Sequence, residues 1–174
     1  MSSNPTIRPA TNTTPDEFRK AVSRFATGIT VISCEDESGV RGMTCNSFTS
    51  VSLAPATILV SLKPGKTHQA ISARKTFGVS ILRDEHQSYS SYFSGPPKPG
   101  QPPEFLVREK APTLAECLAW FECEVVEAVD VNDHTLFVAQ VTSCGTTEGS
   151  PLMFYESRYH RYEAPPAILV PERA

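Results

Sequence analysis

Apolar side chains recur at helical spacing near the start of the chain, whereas apolar and polar side chains alternate along most of the remaining sequence. The helical part begins after Thr14, a residue that can cap a helix, with Pro15 at the first helical position and Glu17 three residues after the cap. Gly28 suits the left-handed residue that ends many helices. We therefore predict a helix over residues 15–26 whose apolar face comprises Phe18, Ala21, Val22, Phe25 and Ala26.

The alternating part of the chain predicts β-strands that are separated by turns and by two short helices. The strands are expected at residues 29–34, 42–53, 56–62, 77–82, 119–129, 134–144, 152–155 and 159–162. The helices are expected at residues 67–75, with Thr67 as the capping residue, and at residues 84–93. Many strands with few helices do not form alternating βαβ units. We therefore predict a mainly β fold, an antiparallel barrel closed on itself with short flanking helices.

The length of the chain bounds its organisation, because 174 residues form one domain with a real core and are too few for two. We predict this domain over residues 14–163, between a disordered leader at residues 1–13 and a proline-rich tail at residues 164–174. Residues 94–103 contain five prolines and two glycines, which predicts a loop with the length of a lid or flexible cover.

Charge and cysteine content narrow the range of functions. The formal net charge is −3, so no basic surplus indicates nucleic acid or an anionic membrane as a partner. Five cysteines without a Cys-x-x-Cys pair and four histidines without metal-ligand spacing argue against a metal site and a disulfide framework. We interpret the cysteines as small core residues rather than redox groups. The polar start of the chain has no signal region, so we expect a cytoplasmic protein.

A run of small polar residues is the most informative local feature. It begins with Thr44, Cys45, Asn46 and Ser47 and lies between apolar strands. Such donors and acceptors are costly to bury unless something satisfies them. The polar edge of a planar ligand would satisfy them, and a Ser/Thr-rich turn wetted by solvent is the alternative.

A second polar cluster lies where a predicted strand runs through a Gly-Lys-Thr turn into a helix. Ser61, Lys63, Lys66 and Thr67 would converge there with free backbone amides, which predicts a site for a phosphate or pyrophosphate. A simple capped turn is the alternative. The P-loop is excluded, because that motif needs glycine where this chain has Val60, and it needs a parallel sheet.

Two further polar stretches could contact a ligand. His134 precedes a predicted strand and could donate to a phosphate or carbonyl, or donate a proton near neutral pH, although a turn histidine bonded to Asp133 is the favoured interpretation. Arg158 and Tyr159 belong to a stretch of alternating cations and aromatics, which suits a stacked base, a phosphate or a solvated edge strand. No hydrolytic arrangement of residues is evident. Together these features indicate a cofactor with a phosphate tail and a polar ring edge.

Four motifs, in this order, make the chain resemble the short-chain flavin reductases, the reductase partners of two-component flavin monooxygenases. They are Phe18-Arg19 to Phe25-Ala26-Thr27-Gly28-Ile29-Thr30-Val31, Gly42-Met43-Thr44 to Ser47-Phe48-Thr49-Ser50-Val51-Ser52-Leu53, Asp133-His134-Thr135-Leu136-Phe137, and Gly149-Ser150-Pro151-Leu152 with Arg158-Tyr159. The resemblance runs from about residue 16 to 162. It implies an FMN-binding split β-barrel that pairs as a homodimer.

The resemblance also implies an activity: NADH or NADPH reduces FMN or FAD by hydride transfer to flavin N5, and the reduced flavin passes to a separate monooxygenase. The residues that it places at the polar edge of the isoalloxazine are Thr44, Cys45, Asn46 and Ser47. Those that it places at the ribityl phosphate are Ser61, Lys63, Lys66 and Thr67. Those that it places at the nicotinamide nucleotide are His134, Arg158 and Tyr159.

The resemblance assigns no catalytic side chain, because the hydride chemistry belongs to the cofactors. Cys45 departs from the small aliphatic or serine residue expected at its position, and the prolines of residues 94–103 leave substrate access and cofactor choice open. Two other functions stay open as well, since a fold does not fix a function. One is an oxidase that keeps its flavin, and the other is a flavin-binding module without turnover.

Overall fold

A computed structural model describes residues 13–95 and 102–162 of the chain. Within them the chain forms three α-helices and twelve β-strands. The helices are α1 (Pro15–Val22), α2 (Lys66–Arg74) and α3 (Gln87–Phe93). The strands are β1 (Thr27–Gly28), β2 (Thr30–Asp36), β3 (Gly39–Cys45), β4 (Thr49–Leu53), β5 (Ala56–Leu62), β6 (Thr76–Ile81), β7 (Phe105–Val107), β8 (Pro112–Leu114), β9 (Ala119–Val131), β10 (His134–Thr146), β11 (Leu152–Tyr155) and β12 (Arg158–Arg161).

Seven strands form one antiparallel sheet in the order β3-β2-β6-β9-β10-β5-β4. Its centre is the long hairpin of β9 and β10, whose pairing is interrupted by two irregularities of β-bulge type. Bulges increase the local twist and bend the strand that carries them. A second sheet has the order β1-β11-β12, and β7 and β8 form a separate hairpin. This architecture confirms the predicted class, mainly β and antiparallel.

The central sheet is not closed into a barrel, because within the described residues its edge strands β3 and β4 do not pair with each other. Only residues 46–48, which we call the edge connection, join the end of β3 to the start of β4. So short a segment spans about 14 Å at most between the two strands. The sheet must therefore curl until its two edges approach each other at this end. The barrel predicted from the sequence is therefore not closed: the sheet is curled but open, and the edge connection links its two edge strands.

Both faces of β2 are buried over residues 30–34. On one face, Ile32 belongs to a cluster that includes Phe77 and Phe137 together with residues of α2. On the opposite face, Val31 packs in a second cluster that includes Leu152 of β11. The two clusters hold the central sheet, α2 and the second sheet together, and so they fix the frame around the edge connection.

The first helix is shorter than predicted. The capping box of Thr14 and Glu17 is present, but the helix ends at Val22. Gly28 was expected to end the helix in a left-handed conformation, and this prediction is wrong. Gly28 lies in β1, where it pairs with Met153 of β11. The chain leaves the helix early because it must join the second sheet.

The apolar face of α1 is exposed. Phe18 has 64% of its surface accessible and Phe25, just after the helix, has 76%. No residue of α1 is buried. Because an amphipathic helix normally buries its apolar stripe, this face is unusual, and it contributes to a cleft beside the edge connection.

The second helix begins one residue earlier than predicted, at Lys66, with Gly65 as the N-cap residue. The prediction that Thr67 caps this helix is wrong, because Thr67 lies inside the first turn and is buried. Gly65 has no side chain to supply a cap, so the helix starts without a side-chain capping bond. The third helix begins at Gln87 rather than at residue 84.

Three predicted segments lie wholly or mostly outside the described residues: the leader at residues 1–13, the loop at residues 94–103 and the tail at residues 164–174. The domain limits of 14–163 accordingly stay a prediction. None of the described helices is long and apolar enough to span a membrane.

Candidate functional site

A cleft of about 1370 Å³ opens beside the edge connection. Its lining comes from α1, β1, the edge connection, β5 and the turn between β9 and β10. The predicted site residues that line it are Asn46, Ser47, Ser61, Lys63 and His134. The fold thus brings the hydroxyl-rich segment, the residues at the end of β5 and the histidine that begins β10 to one place.

Ser47 fixes the edge connection to β5. Its hydroxyl donates to the carbonyl of Ser61 at 2.8 Å and accepts from the amide of the same residue at 2.9 Å. Cys45 lies behind it, with its sulfur 2.9 Å from the Ser47 hydroxyl, and burial raises the pKa of the Cys45 thiol. The Ser47 hydroxyl is therefore engaged by the protein itself, and its direct role is to hold the edge connection in place.

Asn46 and Ser61 offer polar groups to the cleft. The side-chain amide of Asn46 is exposed and reaches the Thr27 hydroxyl only at 3.5 Å, a long and weak hydrogen bond. Ser61 is half-buried, and its hydroxyl makes no hydrogen bond to any residue within ranges 13–95 and 102–162. These two side chains are free to donate to, and accept from, the polar edge of a ligand.

A charged cluster lies at the turn between β9 and β10. The Asp133 carboxylate pairs with Lys63 Nζ at 3.0 Å through one oxygen and with His134 Nδ1 at 2.7 Å through the other. These two contacts lower the pKa of Asp133 to about 2, and the contact with Lys63 has the larger effect. The interpretation that His134 bonds Asp133 is confirmed. His134 nevertheless also lines the cleft, so the bond does not remove it from the site.

Thr44, Tyr159 and Arg158 do not line this cleft. Thr44 Oγ1 donates to the carbonyl of Ser90 in α3 at 2.7 Å, and the Tyr159 hydroxyl lies 3.0 Å from the Ser90 hydroxyl. Arg158 is exposed on β12. Thr44 and Tyr159 anchor α3, and their contact with a cofactor, like that of Arg158, stays a prediction.

Lys66 and Thr67 also lie outside the cleft lining. Both belong to the first turn of α2, where Lys66 is exposed and Thr67 is buried. Of the cations and hydroxyls that follow β5, Lys63 lines the cleft, whereas Lys66 and Thr67 do not. Their assignment to a phosphate stays a prediction.

The apolar walls of the cleft are absent from the predicted site. Phe18, Val22 and Phe25 contribute from α1 and the segment that follows it, and Phe48 and Phe154 contribute aromatic rings. The helical periodicity of α1 was recognised in the sequence but was given no role in ligand binding. The available signal was the amphipathic helix that the first motif contains.

The arrangement suits a planar ligand with an anionic tail, since aromatic walls, amide and hydroxyl groups and one lysine share a cleft. In the part of the chain that the structure covers, no group of three or more His, Cys, Asp or Glu side chains is placed to hold a metal ion.

Comparison with known proteins gives consistent results. A family model described as "Flavin reductase like domain" matches residues 22–163. NADH-dependent flavin reductase StyB of Pseudomonas fluorescens is 50% identical over 148 residues, which are 82% of this chain and 87% of that protein.

Two solved structures are similar over nearly their whole length. The styrene monooxygenase flavin reductase SMOB from Pseudomonas putida S12 has a TM-score of 0.81 at 50% identity, covering 85% of this chain and 98% of that one. Flavin reductase PheA2 in its native state has a TM-score of 0.83 at 37% identity, covering 87% of this chain and 100% of that one.

Proposed function

The chain belongs to the flavin reductase-like domain family, and from that membership we propose that it uses NADH to reduce FMN or FAD for a partner monooxygenase. The observation that carries the proposal is the cleft, in which polar side chains, a lysine and a histidine from separate parts of the chain meet aromatic walls. NADH is favoured over NADPH because the relative at 50% identity is named NADH-dependent.

The residues of the cleft fit a flavin. The Asn46 amide and the Ser61 hydroxyl can meet the carbonyl and N–H groups of the isoalloxazine edge. Lys63 can pair with the phosphate of the ribityl chain, and Phe48 and Phe154 can pack on the planar ring. The flavin, when bound, supplies the hydride acceptor at its N5 atom. The work of the protein is to hold the flavin ring and the nicotinamide together and to exclude water.

His134 is the best-placed side chain for the nicotinamide nucleotide. Its Nδ1–H donates to the Asp133 carboxylate, which fixes the ring and leaves Nε2 to accept from the N–H of a carboxamide. Hydride transfer requires no proton donor, so we assign His134 a binding role.

The consumer of reduced flavin is proposed to be a monooxygenase, since the similar structure SMOB is named as the flavin reductase of styrene monooxygenase. Such a reductase must release its product. Lys63 is exposed, which suits a flavin that enters and leaves rather than one that stays enclosed.

We propose further that a second copy of the chain covers the apolar face of α1, giving the homodimer that the resemblance implies. Phe18 and Phe25 are too exposed for a stable monomer surface without a partner. Sedimentation velocity tests this point: Phe25→Ser should shift the protein towards the monomer. Val107→Ser is the control, because Val107 is also exposed but lies outside the cleft. Equal sedimentation of both variants as monomers, or of wild type as a monomer, would contradict the proposal.

A cytoplasmic location is also proposed, and the cysteines support it. All five are free thiols, four of them buried. Unpaired cysteines are typical of a reducing compartment.

The activity is tested by following NADH absorbance with purified protein, with and without added FMN or FAD. The proposal expects oxidation that depends on added flavin. Reduction of a retained flavin by a different substrate would indicate an oxidase, and flavin binding without NADH oxidation would indicate a binding module.

A further inference from the structure

Asp133 pairs with two other side chains that line the cleft, Lys63 and His134. One carboxylate oxygen contacts Lys63 and the other contacts His134, so neither oxygen is left over and neither partner is unpaired. We call Lys63, Asp133 and His134 the Asp133 cluster. Their side chains are 61%, 68% and 36% exposed, so a solute can reach all three. All three line the cleft.

An anionic ligand group must compete with this carboxylate. A phosphate that approaches Lys63 either displaces Asp133 or comes to rest beside it, and two like charges at such a distance repel each other. The ion pairs of an exposed cluster are weak enough to exchange. The carboxylate is thus placed to oppose the binding of a phosphate rather than to assist it.

We propose that Asp133 is an internal counter-ion that competes with the phosphate of the flavin for Lys63 and His134, and thereby limits the affinity of the cleft for phosphorylated flavin. This inference rests on the proposed function. Its consequence is a site that holds FMN weakly enough to release it after reduction, without any loss of ring contacts.

The competition cannot be removed by mild acid. The hydrogen bond from Lys63, followed by that from His134, keeps the pKa of Asp133 at about 2, so the carboxylate stays charged at any pH at which the protein would be assayed. A substitution is therefore needed to test its role. Asp133→Asn keeps the size of the side chain and its ability to accept a hydrogen bond from His134 while removing the charge.

The experiment measures dissociation constants of FMN and of riboflavin by the quenching of flavin fluorescence. Riboflavin has the same ring but no phosphate, so it reports ring contacts alone. Asp133→Ser is a second variant in case the asparagine perturbs the turn. The control is Asp36→Asn, because Asp36 also forms an ion pair, a half-buried one with Arg41, but lies outside the cleft lining. Circular dichroism confirms that each variant is folded.

We expect Asp133→Asn to tighten FMN binding by about two- to thirty-fold, the range for losing competition from one or two exposed ion pairs. Riboflavin binding should change by less than about twofold, and the gain for FMN should shrink in high salt because exposed charges are screened. Asp36→Asn should leave both flavins unaffected.

Unchanged or weaker FMN binding in folded Asp133→Asn and Asp133→Ser would overturn the counter-ion role, as would equal tightening of FMN and riboflavin. Failure of the proposed function itself looks different: the wild-type protein would then bind neither flavin and would not oxidise NADH when flavin is added.

Discussion

Replacing Ser47 by alanine should destabilise the folded protein rather than remove a flavin contact. β4 pairs with β5 at Thr49↔Leu59. Ser47 lies two residues before Thr49. There the Ser47 hydroxyl, instead of a backbone group of β4, forms hydrogen bonds with both the amide and the carbonyl of Ser61. Alanine leaves both groups without that partner. Each unsatisfied buried group costs about 1–3 kcal/mol, and water can enter the adjacent cleft. We therefore expect the free energy of unfolding to fall by about 1–2 kcal/mol in total.

Urea unfolding followed by circular dichroism measures this loss, with Ser50→Ala as the matched control on an exposed position of β4. For a typical slope of the unfolding free energy against urea concentration, the urea midpoint of Ser47→Ala should fall by roughly 0.5–1 M. The free energy of unfolding of the control should stay within about 0.5 kcal/mol of the wild-type value. An FMN titration completes the test. The reasoning would be refuted if Ser47→Ala unfolded at the midpoint of the control and yet lost FMN binding, since the hydroxyl would then be a ligand.

Three further predictions concern a turn, a buried histidine and the nicotinamide. Ser157 has a φ of 61° in the β11–β12 turn, so Ser157→Gly should relieve about 1 kcal/mol of backbone strain and raise the thermal midpoint; a lower midpoint would contradict this. His86 is 3% exposed, and burial lowers its pKa. The unfolded chain therefore binds a proton first as pH falls, so stability is complete above about pH 6.5 and decreases below it by at most about 1.4 kcal/mol per pH unit. Urea unfolding at several pH values should show a flatter dependence for His86→Gln, and an identical dependence would assign the loss to other groups. In steady-state assays His134→Ala should raise the KM for NADH more than the KM for flavin, and equal effects on both would make His134 structural.

A strand with a nearly continuous apolar run that ends at a turn could be predicted closely from the sequence. The strand β5 spans Ala56–Leu62, the predicted limits, and buries Ile58, Val60 and Leu62 on one face. The end of α1 could not be predicted in this way. Apolar spacing continues to Phe25, but the chain turns earlier so that Thr27 can pair with Phe154. That contact joins residues far apart in the sequence, and a local pattern does not contain it.

The candidate site could likewise be predicted only in part, because local sequence identifies its polar residues but not the direction of each side chain. The two polar clusters of the sequence pointed to Asn46, Ser61 and Lys63, and the fold brings all three into one cleft with His134. The direction of each side chain depends on tertiary packing, which is why Thr44, in the same polar run, bonds α3 instead. The ion pair between Lys63 and Asp133 likewise arises only when the end of β5 meets the β9–β10 turn.

The central claim is that the cleft beside the edge connection binds the flavin. A crystal structure of the protein grown with FMN tests this most directly. We predict density for the ring edge against Asn46 and Ser61, with the phosphate at Lys63. Density for the flavin outside this cleft, with its phosphate on Lys66 and Thr67 and no contact with Asn46 or Lys63, would contradict the claim.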